Sequence, residues 1–219
     1  MAAILCIETA TTNCSVALSI DGSASVLIED FNTSYSHGER LQPYLDQVLQ
    51  KAGLGYSDLD AIAVSQGPGS YTGLRIGVSA AKGLCFSLDI PLIAIDTLSS
   101  LARQVKTSQG TIIAMLDARR MEVYSRVFDS EYNALNDVAP VVLTPESYSA
   151  YLEQGTVLFV GNSNEKFKEI CKHPNAKFEA FSLPSAKELC GLAQAKFDRK
   201  AFEDVAYFEP FYLKSFRMG

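Results

Sequence analysis

The feature that most constrains this chain is a pattern that starts twice. Residues 4–18 read ILCIETATTNCSVAL, and residues 112–128 read IIAMLDARRMEVYSRVF. Each is an apolar strand that ends in an acid, Glu8 or Asp117, and then passes through a short polar loop into a second strand. The restart comes after Ser108. An internal echo of this kind predicts a duplicated, two-lobed fold, with lobes at 1–106 and 107–219 and the boundary inside Gln104–Gly110.

The first lobe is the more regular. Apolar runs at 3–7, 15–20 and 24–31 predict three antiparallel strands, with Asp21-Gly22 supplying the positive φ angles that a two-residue type I′ hairpin needs. In SHGERLQPYLDQVLQKAG, Leu41, Tyr44, Leu45, Val48 and Leu49 recur at helical spacing up to Gly53, with Ser36 and Glu39 at capping-box distance. Pro43 predicts either a kink or a helix that begins just before it. A strand at 61–65, a helical run at 74–88, a strand at 92–95 and a helix at 98–105 follow. The order β-β-β-α-β-α-β-α describes an α/β lobe with a mixed sheet. The second half adds a strand at 156–160 and a helix at 187–197 that turns Leu189, Leu192, Ala193 and Phe197 inward.

Composition narrows the function. With 47% hydrophobic and 20% charged residues the chain can bury a core, and no stretch approaches the ~20 apolar residues of a membrane span. The opening MAAILCIETA lacks the cationic start of a signal peptide, so a cytoplasmic protein is expected. Nineteen Lys and Arg against twenty-five Asp and Glu give a net charge of −6, the wrong sign for a broad nucleic-acid grip. Arg119-Arg120, Lys166 with Lys168 and Lys172, and Lys214 with Arg217 are the basic clusters, suited at most to a limited phosphate contact. The cysteines Cys6, Cys14, Cys85, Cys171 and Cys190 form no C-x-x-C and lie mostly in apolar stretches, which predicts reduced core thiols.

Four features are candidates for chemistry. GPGSYTG, with Gly67, Gly69 and Gly73, is a strand-to-helix glycine loop of the sort that lets N–H groups approach an anion. It matches neither the dinucleotide fingerprint nor the P-loop, and it fits a tight helix-on-sheet turn equally well. Glu8, backed by Thr9, could hold a hydrated metal or a phosphate across a cleft from Asp117. Arg75, beside the loop, suits a partner contact. His37 and His173 have no Cys or His at metal spacing and no nucleophile elbow near them, so surface histidines are expected, with no protein-held metal and no catalytic relay.

Taken together, IETATTNCSVAL, SHGERLQPYLDQVL, QGPGSYTGLRIGVSAAKGL, LDARRMEVY and the terminal PFYLKSF closely resemble the TsaB (YeaZ) family, bacterial subunits of the tRNA threonylcarbamoyladenosine machinery. The resemblance implies an ASKHA fold, the actin-like ATPase architecture of two ribonuclease-H-like lobes. It implies a non-catalytic subunit that binds and stabilises TsaD, which transfers threonylcarbamoyl to the adenosine beside the anticodon of tRNAs reading A-starting codons. TsaE, an ATPase, would join the assembled complex, and tRNA would be reached mainly through TsaD. The implied partner face is the helix with Leu41, Tyr44, Leu45 and Val48 together with the helix carrying Gly73, Arg75, Gly77, Ala80 and Ala81. Its small residues favour a homodimer when TsaD is absent.

Two departures from relatives matter. TsaD holds its metal on an H-x-x-x-H helix, and here His37 is followed by Leu41. Glu8 stands where many ASKHA kinases have Asp, so the expectation is no tightly bound cofactor, with ATP or ADP and magnesium restricted to Glu8, Thr9, Gly67, Gly69 and Asp117 or to the partner junction. The alternative is an ATP-dependent ASKHA kinase or ATPase with its own nucleotide site. A peptidase, as older labels for related proteins proposed, lacks its metal ligands and relay.

Overall fold

A computed structural model describes residues 1–31 and 37–213. Ser36, the expected helix cap, and the Lys214 and Arg217 cluster lie outside the described residues. The chain forms two compact units, but not at the expected boundary. One unit is Met1–Thr97 with the residues from Pro184 onward, and the other is Leu98–Leu183.

In the first unit, β1 (Ala3–Glu8), β2 (Asn13–Ile20), β3 (Ser23–Phe31), β4 (Ala61–Gly67) and β5 (Leu92–Asp96) form a sheet in the order β3-β2-β1-β4-β5. β1 runs antiparallel to β2 and parallel to β4. Asp21 and Gly22 make the β2–β3 turn with φ of 48° and 80°, as the type I′ signal predicts. α1 (His37–Ala52) runs through Pro43 without ending there, and α2 is Tyr71–Leu88.

The sheet has two apolar faces because side chains alternate along each strand. Leu5, Ile7, Val16, Leu18, Ile62 and Val64 pack with α1 and α2. Ile4, Cys6, Ala17, Ala61, Ala63 and Ile93 face the other way and need a second cover.

That cover is α6 (Ala186–Asp198), through Ala186, Leu189, Cys190 and Ala193. Ser15 Oγ accepts from Ala186 N at 2.8 Å, and Asn13 Nδ2 donates to the Pro184 carbonyl at 2.9 Å, which pins the start of the helix. The expected 107–219 lobe therefore loses its last segment to the first unit.

The second unit repeats the plan. β6 (Thr111–Asp117), β7 (Glu122–Phe128), β8 (Ala139–Val142), β9 (Val157–Gly161) and β10 (Ala176–Phe181) lie in the order β10-β9-β6-β7-β8. β6 is antiparallel to β7 and parallel to β9, as β1 is to β2 and β4. α4 (Ser149–Leu152) and α5 (Asn164–Ile170) accompany Ile113, Met115, Phe159 and Phe167 on one face. On the other, Ile112, Ala114 and Leu116 pack on Leu98, Leu101 and Ala102 of α3 (Thr97–Ala102). The helix that follows each sheet in sequence thus belongs to the other compact unit and closes the back of the sheet there. This crossing moves both expected boundaries.

Candidate functional site

The glycine loop joins β4 to α2, and its space is filled by the chain itself. Ser70 caps α2, accepting from Gly73 N, and Ser70 N donates to the Ala10 carbonyl at 2.7 Å. A Cβ at Gly69 would stand 2.5 Å from the Ala10 carbonyl oxygen, and one at Gly73 or Gly77 would collide with Thr9. Thr9 Oγ1 donates to the Gly73 carbonyl at 2.8 Å. These glycines let α2 seat directly on the β1–β2 loop, which is the packing use of such a pattern.

At Gly67, whose φ is +114°, a Cβ would lie 2.6 Å from the Phe211 carbonyl oxygen. Phe211 N donates to Gln66 O at 2.7 Å, Lys82 Nζ holds the carbonyls of Ala206 and Phe208, and Tyr212 rests on Tyr71 with ring centroids 4.9 Å apart. A C-terminal strap therefore lies along this unit. Gly67 N donates to Thr97 Oγ1. The loop as folded does not fit a phosphate, because its space and three of its N–H groups, those of Gly67, Ser70 and Gly73, are committed within the chain.

Glu8 is 0% exposed. Its Oε1 accepts from Ala10 N at 2.6 Å and Ser65 Oγ at 2.8 Å, while Oε2 has no hydrogen-bond partner among the described residues. Burial pushes this carboxyl up to about 7. The Ala10, Ser65 and Thr9 hydrogen bonds oppose the rise and Glu188 adds to it. Burial thus favours the protonated form of this carboxyl.

Asp117 is different. It belongs to the second unit and its side chain is 41% exposed. Its Oδ1 accepts from Arg119 N at 2.6 Å, and its Oδ2 pairs with Lys166 Nζ at 3.3 Å. Lys166 also donates to the carbonyls of Arg120 and Glu122, so this lysine is a clamp on the β6–β7 turn. Arg119 and Arg120 occupy that turn with φ of 72° and 53°.

The expected partner face needs correction. Leu41, Leu45 and Val48 are core residues of the first unit, and Gly73, Gly77 and Ala81 are buried as well. Helical periodicity marks the face that is buried, and in a single folded unit the sheet takes that face first.

Tyr44 and Ala80 are half-buried, and Arg75 is exposed, donating to Tyr71 Oη while lying over its ring. The outward side of α2 consists of Thr72, Arg75, Ser79, Gly83 and Phe86, spaced at three or four residues. Phe86 is 84% exposed, and a Cβ at Gly83 would meet nothing within 4 Å.

His37 is not at the surface either. Its Nε2–H donates to the Thr11 carbonyl at 2.7 Å, and burial lowers its pKa. The signal was in the sequence, because His37 precedes Leu41 and Leu45 by one and two turns on the same stripe. All five cysteines are free and buried, as expected. Among the described residues no group of three or more His, Cys, Asp or Glu side chains is placed to hold a metal ion, and no helix is long and apolar enough to cross a membrane.

Comparison with known proteins places these features in a lineage. Residues 32–217 match the family model described as TsaD, tRNA N6-adenosine threonylcarbamoyltransferase. The Escherichia coli K12 protein named tRNA threonylcarbamoyladenosine biosynthesis protein TsaB is 30% identical over 97% of this chain and 94% of its own length. A Bacillus subtilis 168 protein of the same name is 33% identical over 76% of this chain and 74% of its own.

Among solved structures, YeaZ from Pseudomonas aeruginosa superposes with a TM-score of 0.82 at 28% identity, covering 97% of this chain and all of that one. The ethanolamine utilization protein EutJ from Carboxydothermus hydrogenoformans, at 12% identity, shares the fold with a TM-score of 0.51 over 87% of this chain and 89% of its own. The two equivalent five-stranded sheets are the duplicated lobes of the ASKHA fold, and the chain belongs to the TsaB (YeaZ) family.

Proposed function

We propose that this chain is a non-catalytic subunit of tRNA threonylcarbamoyladenosine biosynthesis that binds and stabilises TsaD. The observation that carries the reading is near-full-length kinship with a protein named for that pathway. The internal use of the glycine loop supports it, since the residues that could have cradled a nucleotide instead hold α2 against β1. Any ATP or ADP with magnesium then belongs to the junction with TsaD, TsaE joins the assembled pair, and tRNA is engaged mainly through TsaD. The assembly is cytoplasmic, and the chain pairs with itself when TsaD is absent.

The docking element in this reading is the outward stripe of α2. Small residues at Ser79 and Gly83 let a partner helix approach closely, and Phe86 offers the apolar surface to be covered. Light scattering on the purified chain, with and without its cognate TsaD and with magnesium-ATP hydrolysis followed on the same samples, tests this. A homodimer that exchanges into a heterodimer without turnover of its own supports the proposal, and Gly83→Arg should abolish the exchange while leaving the fold intact. A monomer indifferent to TsaD that hydrolyses ATP unaided would establish the ASKHA enzyme instead.

A further inference from the structure

Among the described residues, two turns place consecutive residues at positive φ, and the chain fills them differently. At the β2–β3 turn the pair is Asp21 and Gly22, with φ of 48° and 80°, residue types that reach the left-handed region at little cost. At the β6–β7 turn the pair is Arg119 and Arg120, with φ of 72° and 53°. A long side chain gains nothing locally from that conformation, which crowds its Cβ against the following carbonyl. Two arginines at such a turn therefore point to a use outside the fold.

The turn is held from three sides. Asp117 N donates to Asn162 Oδ1 at 2.8 Å, and Asp117 Oδ1 accepts from Arg119 N at 2.6 Å. Lys166 Nζ lies 3.3 Å from Asp117 Oδ2 and donates to the carbonyls of Arg120 and Glu122 at 2.9 and 2.7 Å. Leu143 N, just beyond β8, donates to the Met121 carbonyl at 2.7 Å. All of these groups belong to the second unit. The acid at the base of the turn is thus engaged by a lysine from α5. Arg119 and Arg120 are exposed, and among the described residues neither guanidinium is in an ion pair or a hydrogen bond.

We propose that Arg119 and Arg120 form a fixed contact for the phosphate backbone of RNA, one that adds to the grip of the assembled complex. The inference rests on the tRNA role proposed above. Charge selects the occupant: two guanidiniums without carboxylate partners face solvent on a chain whose net charge is −6, so they attract a polyanion only where they stand. A hairpin tip is convex, which suits a chain of phosphates lying across it better than a small anion that needs enclosure. Guanidinium forks bind phosphate oxygens in pairs, and a backbone held in advance avoids the ordering cost of a mobile loop. Such a contact positions the RNA without reading its bases.

The test uses the full chain, alone and paired with its cognate TsaD. Each is titrated over a range of salt with an unmodified transcript of a tRNA that reads A-starting codons. Arg119→Asn with Arg120→Gly removes both guanidiniums and installs residue types that suit the backbone, so the urea midpoint should hold or rise. RNA binding should weaken several-fold at ~0.1 M salt, and the plot of log affinity against log salt should become shallower by about 1 to 2. Lys168→Gln with Lys172→Gln removes the same charge from the end of α5 and the chain just after it, where both lysines are exposed, and should change neither quantity. Light scattering should show pairing with TsaD unaltered in both variants.

An arginine variant that binds the transcript with the parent's affinity and salt slope in both arms would overturn the inference, as would an equal loss in the lysine variant. Loss of TsaD pairing in the arginine variant would overturn it in favour of an acidic protein surface as the occupant. Failure of the parent chain to pair with TsaD would count against the proposed function instead. The chain alone must then bind the transcript through these arginines, or the inference falls as well.

Discussion

Glu8 and Asp117 end the first strand of each unit and look interchangeable in sequence, yet the fold gives them opposite surroundings. Glu8 points to the side of its sheet shared with Ile4 and Cys6, where α6 covers it. Asp117 points to the side shared with Ile113 and Met115, where α5 supplies Lys166. In terms of layers, one acid faces a helix from the end of the chain and the other faces a helix that lies between the strands of its own sheet in sequence.

Side chains alternate along a strand, so a one-residue offset is enough to send two matched acids to opposite faces. One is then raised in pKa by burial and the other is paired with a lysine. A repeat of strand order does not guarantee a repeat of side-chain roles.

The strongest way to break the comparison is at the glycines that seat each first strand. Gly73 lies against the Thr9 carbonyl in the first unit, and Gly161, at φ +129°, lies against the Met115 carbonyl in the second. Valine at either position forces backbone apart in a close-packed region. We expect a loss of about 3 kcal/mol or more for Gly73→Val, and a similar loss for Gly161→Val with added backbone strain. Urea midpoints measure both, and an unchanged midpoint for Gly73→Val would show that α2 does not rest on the β1–β2 loop.

The same comparison shows what the sequence could disclose. The order of elements along the first unit, the Asp21-Gly22 turn and the restart at β6 were legible because each is a local signal of turn chemistry or apolar period. The cover of the second face was half-legible. β1 is apolar at every position from Ala3 to Ile7, which demands helices on both sides, but nothing local says that the second helix is α6 rather than α3.

Tertiary choice also decided the site residues. Leu41, Leu45 and Val48 carry the helical stripe expected of an interface, and the sheet consumed it. The stripe left outside on α2, with Ser79 and Gly83, is too small and polar to stand out by hydropathy. The β8 and β10 edges and the strap at 204–213 gave no periodic signal at all.

A second effect isolates Glu8. Its carboxyl titrates at about 7 in the folded chain against an ordinary value of 4.5, so the folded state binds more protons than the unfolded state between these limits. Stability contributed by this group is therefore complete below pH 4.5, falls as pH rises towards about 7 and is flat beyond. The change amounts to about 3 kcal/mol if the group acts alone. Glu8→Gln keeps the acceptor for Ala10 N and Ser65 Oγ but removes the titration. Urea melts at about pH 5 and about pH 8 should show the difference between the two conditions shrinking by that amount in the variant, and an unaltered difference would place the proton elsewhere.

The smallest expected effect is at Asp117, which completes the contrast. Asp117→Asn retains an acceptor for Arg119 N and removes only the charge facing Lys166, whose ammonium keeps the carbonyls of Arg120 and Glu122. Because the Asp117 side chain is 41% exposed, the pair is well screened and its loss should cost under about 1 kcal/mol, declining further in high salt. A loss as large as that at Gly73 would mean that the β6–β7 turn, with its two left-handed arginines, depends on this carboxylate for its conformation. The two acids would then differ in their surroundings but not in structural weight.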